Sequence, residues 1–222
     1  MTKLWADQPF ILTPTPTETD GVGKFPSLLL YSQKFNQLQL SKEVIMVATE
    51  MCLAHNIMIR NLNAIYLQCE QVTKPEDVKD FIRFCQVVLE AIHTHHDHEE
   101  QFFFPLVAEY TGEKDVMQAN VIQHRAFEEG LKRFEEYIIG ATPETYDGKK
   151  VKKAVDGFGQ ILAVHLGDEI QTLIGLEKYG GDKLAGPWEK FNKKILEDVI
   201  KDKVNPSLLW PWVGEILTDC EL

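Results

Sequence analysis

Apolar residues recur in steps of four and three along four separate stretches, the period of a helix that buries one face. The first stripe is Val44, Ala48, Met51, His55, Met58, Leu62 and Ile65, with Ser41 placed to cap the helix and Glu43 in its first turn. A second is Phe81, Cys85, Val88, Ile92, His95, Glu99, Phe102 and Leu106, opened by Pro75-Glu76-Asp77 and kinked or ended by Pro105. The third, Met117, Asn120, His124, Phe127, Leu131, Phe134 and Ile138, stops near Gly140 with Pro143 beyond. The fourth, Val151, Ala154, Phe158, Leu162, His165, Glu169, Thr172 and Leu176, stops at Gly180-Gly181.

Four such stripes with short connections, and no alternating strand pattern, predict an all-α chain: an antiparallel, up-down four-helix bundle over residues 41–180. Residues 1–40 are rich in Pro, Thr and Gly and carry no sustained period, so they read as an arm pinned by Trp5, Phe10 and Ile11. Residues 181–222 read as an extension packed on the bundle, with a short helix around Phe191 to Ile200 and a break from Pro206 to Pro211. Its Trp188, Trp210 and Trp212 are costly to leave in water.

Composition narrows the partners. The 222 residues are 44% hydrophobic, enough for a sizeable core, and 23 basic against 34 acidic residues leave a formal charge of -11. That charge repels phosphate backbones and anionic headgroups, so neither nucleic acid nor a membrane surface is an expected partner. Cys52, Cys69, Cys85 and Cys220 form no CxxC pair and read as free thiols. With no signal-like or membrane-length apolar run, the expected location is cytoplasmic.

Candidate chemistry changes the picture most. Each apolar stripe carries a histidine in its interior, His55, His95, His124 and His165, and two of them add a glutamate one turn on, Glu99 and Glu169. A spacing of four puts both side chains on one helix face. A lone histidine on such a face is ordinarily a hydrogen-bonded core residue, and a lone His-x3-Glu pair is ordinarily a surface ion pair. Four imidazoles and two carboxylates on four core-facing stripes are different, because an unpaired buried carboxylate costs several kcal/mol or more, and a metal ion compensates it. Imidazole and carboxylate without thiolate suit iron, manganese or zinc. Six ligands exceed what one tetrahedral zinc needs, and inward His and Glu at helical spacing build dinuclear centres in which carboxylates bridge.

His96 and Glu100 form a second pair at the same spacing, rotated about 100° around the helix, and stand as second-tier candidates. Asp168 and Glu128 are candidates to orient ligand imidazoles. His93 and His98 read as solvated, and Phe102, Phe103 and Phe104 as core. Packing is the expected role of Arg60 and Tyr66.

The run His95-His96-Asp97-His98-Glu99-Glu100-Gln101-Phe102-Phe103-Phe104-Pro105 resembles the HHxxEE...FP signature of the hemerythrin-like (HHE cation-binding) family. His124-Arg125-Ala126-Phe127 and His165-Leu166-Gly167-Asp168-Glu169 resemble its later motifs, and the segment from His55 to Tyr66 the opening helix of a fungal branch. The resemblance implies a bridged diiron site that meets dioxygen, with His55 and His95 on one iron, His124 and His165 on the other, and Glu99 and Glu169 bridging. Oxygen-carrying members have a further histidine one turn before the third-helix ligand, where this chain has Asn120. Water, His96, Glu100 or Glu128 then fills that position, or it stays open. The expected function is a dioxygen-binding carrier, store or sensor holding two iron ions, with zinc or manganese as other occupants. An oxidative enzyme acting on a small organic molecule and an iron-responsive module are the alternatives.

Overall fold

The computed structural model describes residues 5–16 and 40–201. The Trp5 side chain, residues 17–39 and the tail with Pro206–Pro211, Trp210, Trp212 and Cys220 lie outside them. The chain is all-α, and among the described residues there is no strand. Its helices are α1 (Lys42–Gln68), α2 (Pro75–His98), α3 (Phe104–Thr111), α4 (Gln118–Gly140), α5 (Gly148–Asp156), α6 (Gly159–Gly175) and α7 (Ala185–Ile200). A single π-helical turn, Glu99–Phe103, joins α2 to α3.

Contacts between helices fix their directions. Ser41 meets Glu177, His55 meets Leu166, and a Cβ on Gly148 would lie 2.0 Å from the Cys69 carbonyl oxygen, so α1 runs antiparallel to α5 and α6. His124 meets Glu100 while His93 meets Glu135, so α4 runs antiparallel to α2. The bundle is therefore up-down, with α2–α3 and α5–α6 each serving as one broken long element. Ser41 caps α1 as its position predicts, accepting from the Val44 N–H at 3.4 Å, and Pro75 occupies the first turn of α2.

Two breaks depart from the stripes. The expected single helix from Val151 to Leu176 is interrupted at Gly157-Phe158, between α5 and α6. There α4 comes so close that a Cβ on Gly130 would sit 2.8 Å from the Phe158 Cβ and 2.9 Å from the Gly157 oxygen. The second departure is the π turn. Pro105 has no N–H, and its ring crowds the carbonyl four residues back, so the preceding turn widens and the Phe104 N–H reaches back to Glu99 O. One residue is thereby added to the helical repeat. Beyond Glu99 the buried positions are Phe103, Phe104 and Val107, while Phe102 and Leu106 are only half-buried.

Residues 9–13 lie as a strap in the groove between α1 and α6. Phe10 is buried, its ring 2.5 Å from where a Cβ on Gly159 would stand, whereas Ile11 is 71% exposed and pins nothing. Backbone recognition does the pinning instead. Asn63 accepts from the Phe10 N–H (2.9 Å) and donates to Phe10 O and Ala6 O (2.8 Å each), and Asn56 accepts from the Thr13 N–H (2.8 Å) and donates to Thr13 O (2.7 Å). Arg60 adds an ion pair to Asp7 at 3.0 Å, and Tyr66 packs edge-on against Phe10. At the other end α7 buries Trp188, Phe191 and Ile195 against Phe103 and its neighbours.

Candidate metal centre

The buried apolar side chains fall into two clusters. One holds Met58–Cys69, Val78–Ile92, Phe127–Ile138 and Val151–Leu166; the other holds Val44–Cys52, Phe103–Val107, Met117, Ile170–Leu176 and residues of α7. Between them every long element contributes polar residues: His55 from α1, His95, His96 and Glu99 from α2 and the π turn, Asn120 and His124 from α4, and His165 and Glu169 from α6. The helices thus carry one polar layer across the bundle at a common height.

All six residues expected at the site converge in that layer. His55 Nε2 lies 3.0 Å from His95 Nε2, and His95 Nε2 lies 2.8 Å from Glu99 Oε1. On the other side, His124 Nε2 and His165 Nε2 are 3.1 Å apart, with Glu99 Oε2 3.7 Å from His124. Glu169 Oε2 stands between the pairs, 3.8 Å from His55 and 3.7 Å from His165. Two groups of donor atoms are close enough to share an ion, His55–His95–Glu99 and His96–Glu99–His124–His165. Glu99 belongs to both.

The rings are oriented from behind. His55 Nδ1 donates to Leu166 O (2.8 Å), His96 Nδ1 to Ile92 O (2.7 Å), His124 Nδ1 to Glu100 Oε1 (2.7 Å) and His165 Nδ1 to Gln123 Oε1 (3.3 Å). Those partners are acceptors, so each Nδ1 carries a proton and, in the neutral ring, Nε2 presents a lone pair. The Nε2 atoms of His124 and His165 therefore face each other as two acceptors 3.1 Å apart. Both oxygens of Glu99 and of Glu169, and His96 Nε2, are buried without a hydrogen-bond partner. A cation satisfies all of these atoms at once, so the donor set fits a metal centre.

Burial favours the neutral form of His55, His96 and His165, bringing His165 down to about 2. Burial alone would raise Glu99, but the imidazoles of His95 and His55 hold it well below the usual carboxylate value. Glu169 is pushed well above that value by burial and by the charge of Glu99.

The second-tier residues divide. His96 enters the layer. Glu100 orients His124 and is itself held by Arg125 at 3.0 Å. Asp168 acts one step removed, accepting from Gln123 Nε2 at 2.8 Å. Glu128 is exposed and pairs only with Arg125, away from the layer. Asn120 is 1% exposed, and neither amide atom has a hydrogen-bond partner. His93 is half-exposed beside Glu135, but His98 is not solvated: its Nδ1 donates to Thr94 O and its Nε2 lies 3.3 Å from Asp198 on α7. Gln123 and the Leu166 carbonyl were not legible as site groups, since neither lies on an apolar stripe as a ligand type.

Cys52, Cys69 and Cys85 are buried free thiols. Among the described residues no helix is long and apolar enough to cross a membrane.

No solved structure matches the chain. Among characterised proteins it is 36% identical over 151 residues to the dimeric xanthone biosynthesis cluster protein R11 of Cryptosporiopsis sp. (strain 8999), a match covering 68% of this chain and 58% of that protein. The hemerythrin HHE cation-binding domain model matches residues 47–176, the span that contains the whole polar layer. The chain belongs to the hemerythrin HHE cation-binding family.

Proposed function

We propose that the chain is a dinuclear non-haem iron protein that binds dioxygen within the bundle, as a carrier, store or sensor. The observation that carries this reading is the pair of opposed lone pairs on His124 and His165, flanked by two buried carboxylates that reach toward both imidazole pairs. His55 and His95 would hold one ion, His124 and His165 the other, and Glu99 and Glu169 would bridge them. Iron, when bound, supplies reversible redox chemistry toward dioxygen. The protein's own part is to keep His55 and His165 neutral by burial, orient the rings through Leu166, Glu100 and Gln123, and exclude water with the apolar clusters above and below.

Iron is favoured over zinc because two bridging carboxylates and no thiolate make a hard, dinuclear donor set. Buried free thiols fit a reducing, cytoplasmic setting. A second reading, an oxidative enzyme acting on a small organic molecule, draws support from the name of the relative, a protein of a biosynthesis cluster. The cavity of about 440 Å³ lined by Cys69, Glu70, Tyr146 and Lys149 does not serve it. Cys69 stands fourteen residues along from His55, about 21 Å of helix away from the layer.

Admitting air to the reduced, iron-loaded protein separates the two. A persistent absorption band that disappears on removing oxygen supports the carrier reading. Rapid oxidation with no such band overturns it in favour of the enzyme.

A further inference from the structure

We propose that His96 supplies a fifth imidazole, so that the two metal positions are unequal: three imidazoles on one and two on the other. The inference rests on the dinuclear reading above. Successive helical residues point about 100° apart, so α2, passing the centre, lays its two adjacent histidines on opposite halves of it. His95 goes to His55. His96 goes to the other pair, its ring centroid 4.6 Å from that of His124 and 5.2 Å from that of His165. Its donor atom falls within 4.8 Å of those of Glu99, His124 and His165.

An ordinary core histidine would satisfy both ring nitrogens. His96 satisfies one: Nδ1 donates to Ile92 O, which leaves Nε2 as a lone pair, buried and without a partner in a side chain only 7% exposed. Oxygen-carrying members of the family have a further histidine one turn before His124, where this chain has Asn120. Asn120 is buried there, but its side chain is an amide and supplies no imidazole. The missing imidazole comes from α2 instead of α4. With Glu99 and Glu169 shared, the His96 side has five protein ligands and the His55–His95 side four.

Cobalt(II) is the probe. The full chain loaded with cobalt and labelled with 15N at histidine Nδ1 should show five hyperfine-shifted imidazole N–H resonances. His96→Gln should lose one of them while still holding two cobalt ions per chain, and Asn120→Leu should keep all five. Four resonances in the unaltered chain, or an unchanged spectrum in His96→Gln, overturns the inference and leaves the dinuclear centre standing. Fewer than two cobalt ions in the unaltered chain overturns the dinuclear reading itself. If His96→Gln fails to fold, the count of five against four in the unaltered chain decides.

Discussion

Glu99 and Glu169 are both wholly buried in one polar layer, yet their proton affinities are displaced in opposite directions. Glu99 lies against imidazoles that favour its charge. Glu169 faces that charge with no cation near. In metal-free protein Glu169 is thus a source of instability at neutral pH, since a raised carboxylate contributes stability only below its unfolded value and loses it as pH rises through the folded one. Glu169→Gln should raise the melting temperature of the metal-free chain by several degrees and lower its metal content. Thermal denaturation of chelated protein together with metal analysis tests both; a lower melting point with full metal would contradict the assignment.

Acid should act the other way on the imidazoles. His55, His96 and His165 have folded values below the ordinary 6.5, so the unfolded chain takes up their protons first and stability falls as pH drops below that value, for His165 down toward about 2. Protonation of Glu169 opposes this, but one carboxylate is set against three imidazoles. Melting curves of chelated protein between pH 7 and pH 5 should shift steadily downward, and a flat profile would show that these rings are solvated.

The groups behind the rings should matter without touching the metal. Glu100→Leu frees the His124 ring and Gln123→Leu the His165 ring, and each should weaken metal binding by about 10- to 100-fold. Competition with a calibrated chelator measures this. Glu128→Leu, at an exposed position, should leave affinity unchanged.

Close approach makes Gly130 the sharpest packing test. Alanine in a helix interior ordinarily gains about 1 kcal/mol over glycine. Here its Cβ would press on the Phe158 Cβ and the Gly157 carbonyl at under 3 Å, where overpacking costs about 1–3 kcal/mol. Gly130→Ala should therefore be net destabilising, by up to about 2 kcal/mol. At Gly140, where nothing stands within 4 Å, the same change should not destabilise.

The strap gives a further prediction. Asn63→Ala removes three hydrogen bonds to the backbone of Ala6 and Phe10 and should cost about 2–3 kcal/mol. Cleavage by a nonspecific protease between residues 6 and 13 should accelerate, as monitored by mass spectrometry.

How much of this the chain discloses depends on which force places a residue. Apolar periodicity located α1 and α4 and the inward set His55, His95, Glu99, His124, His165 and Glu169, because burial of a whole face leaves a regular trace. It misplaced Phe102 and Leu106, since a π turn adds a residue without changing composition. It also ran through Gly157-Phe158, where the break is set by the approach of α4. The strap was invisible for another reason: Asn56 and Asn63 recognise backbone, which has no sequence pattern, and Ile11, chosen for its hydrophobicity, faces solvent.

That strap has a metric consequence. An extended chain advances about 3.3 Å per residue and a helix about 1.5 Å, so the three steps from Phe10 to Thr13 and the seven from Asn63 to Asn56 both span about 10 Å. The two repeats coincide at those clamps, like the scales of a vernier. One residue inserted between Phe10 and Thr13 would misalign one clamp by about 3.3 Å, more than half a helical turn. The strap therefore gauges the rotation and height of α1 as well as covering it, and His55, next to Asn56, is set in the layer by that gauge.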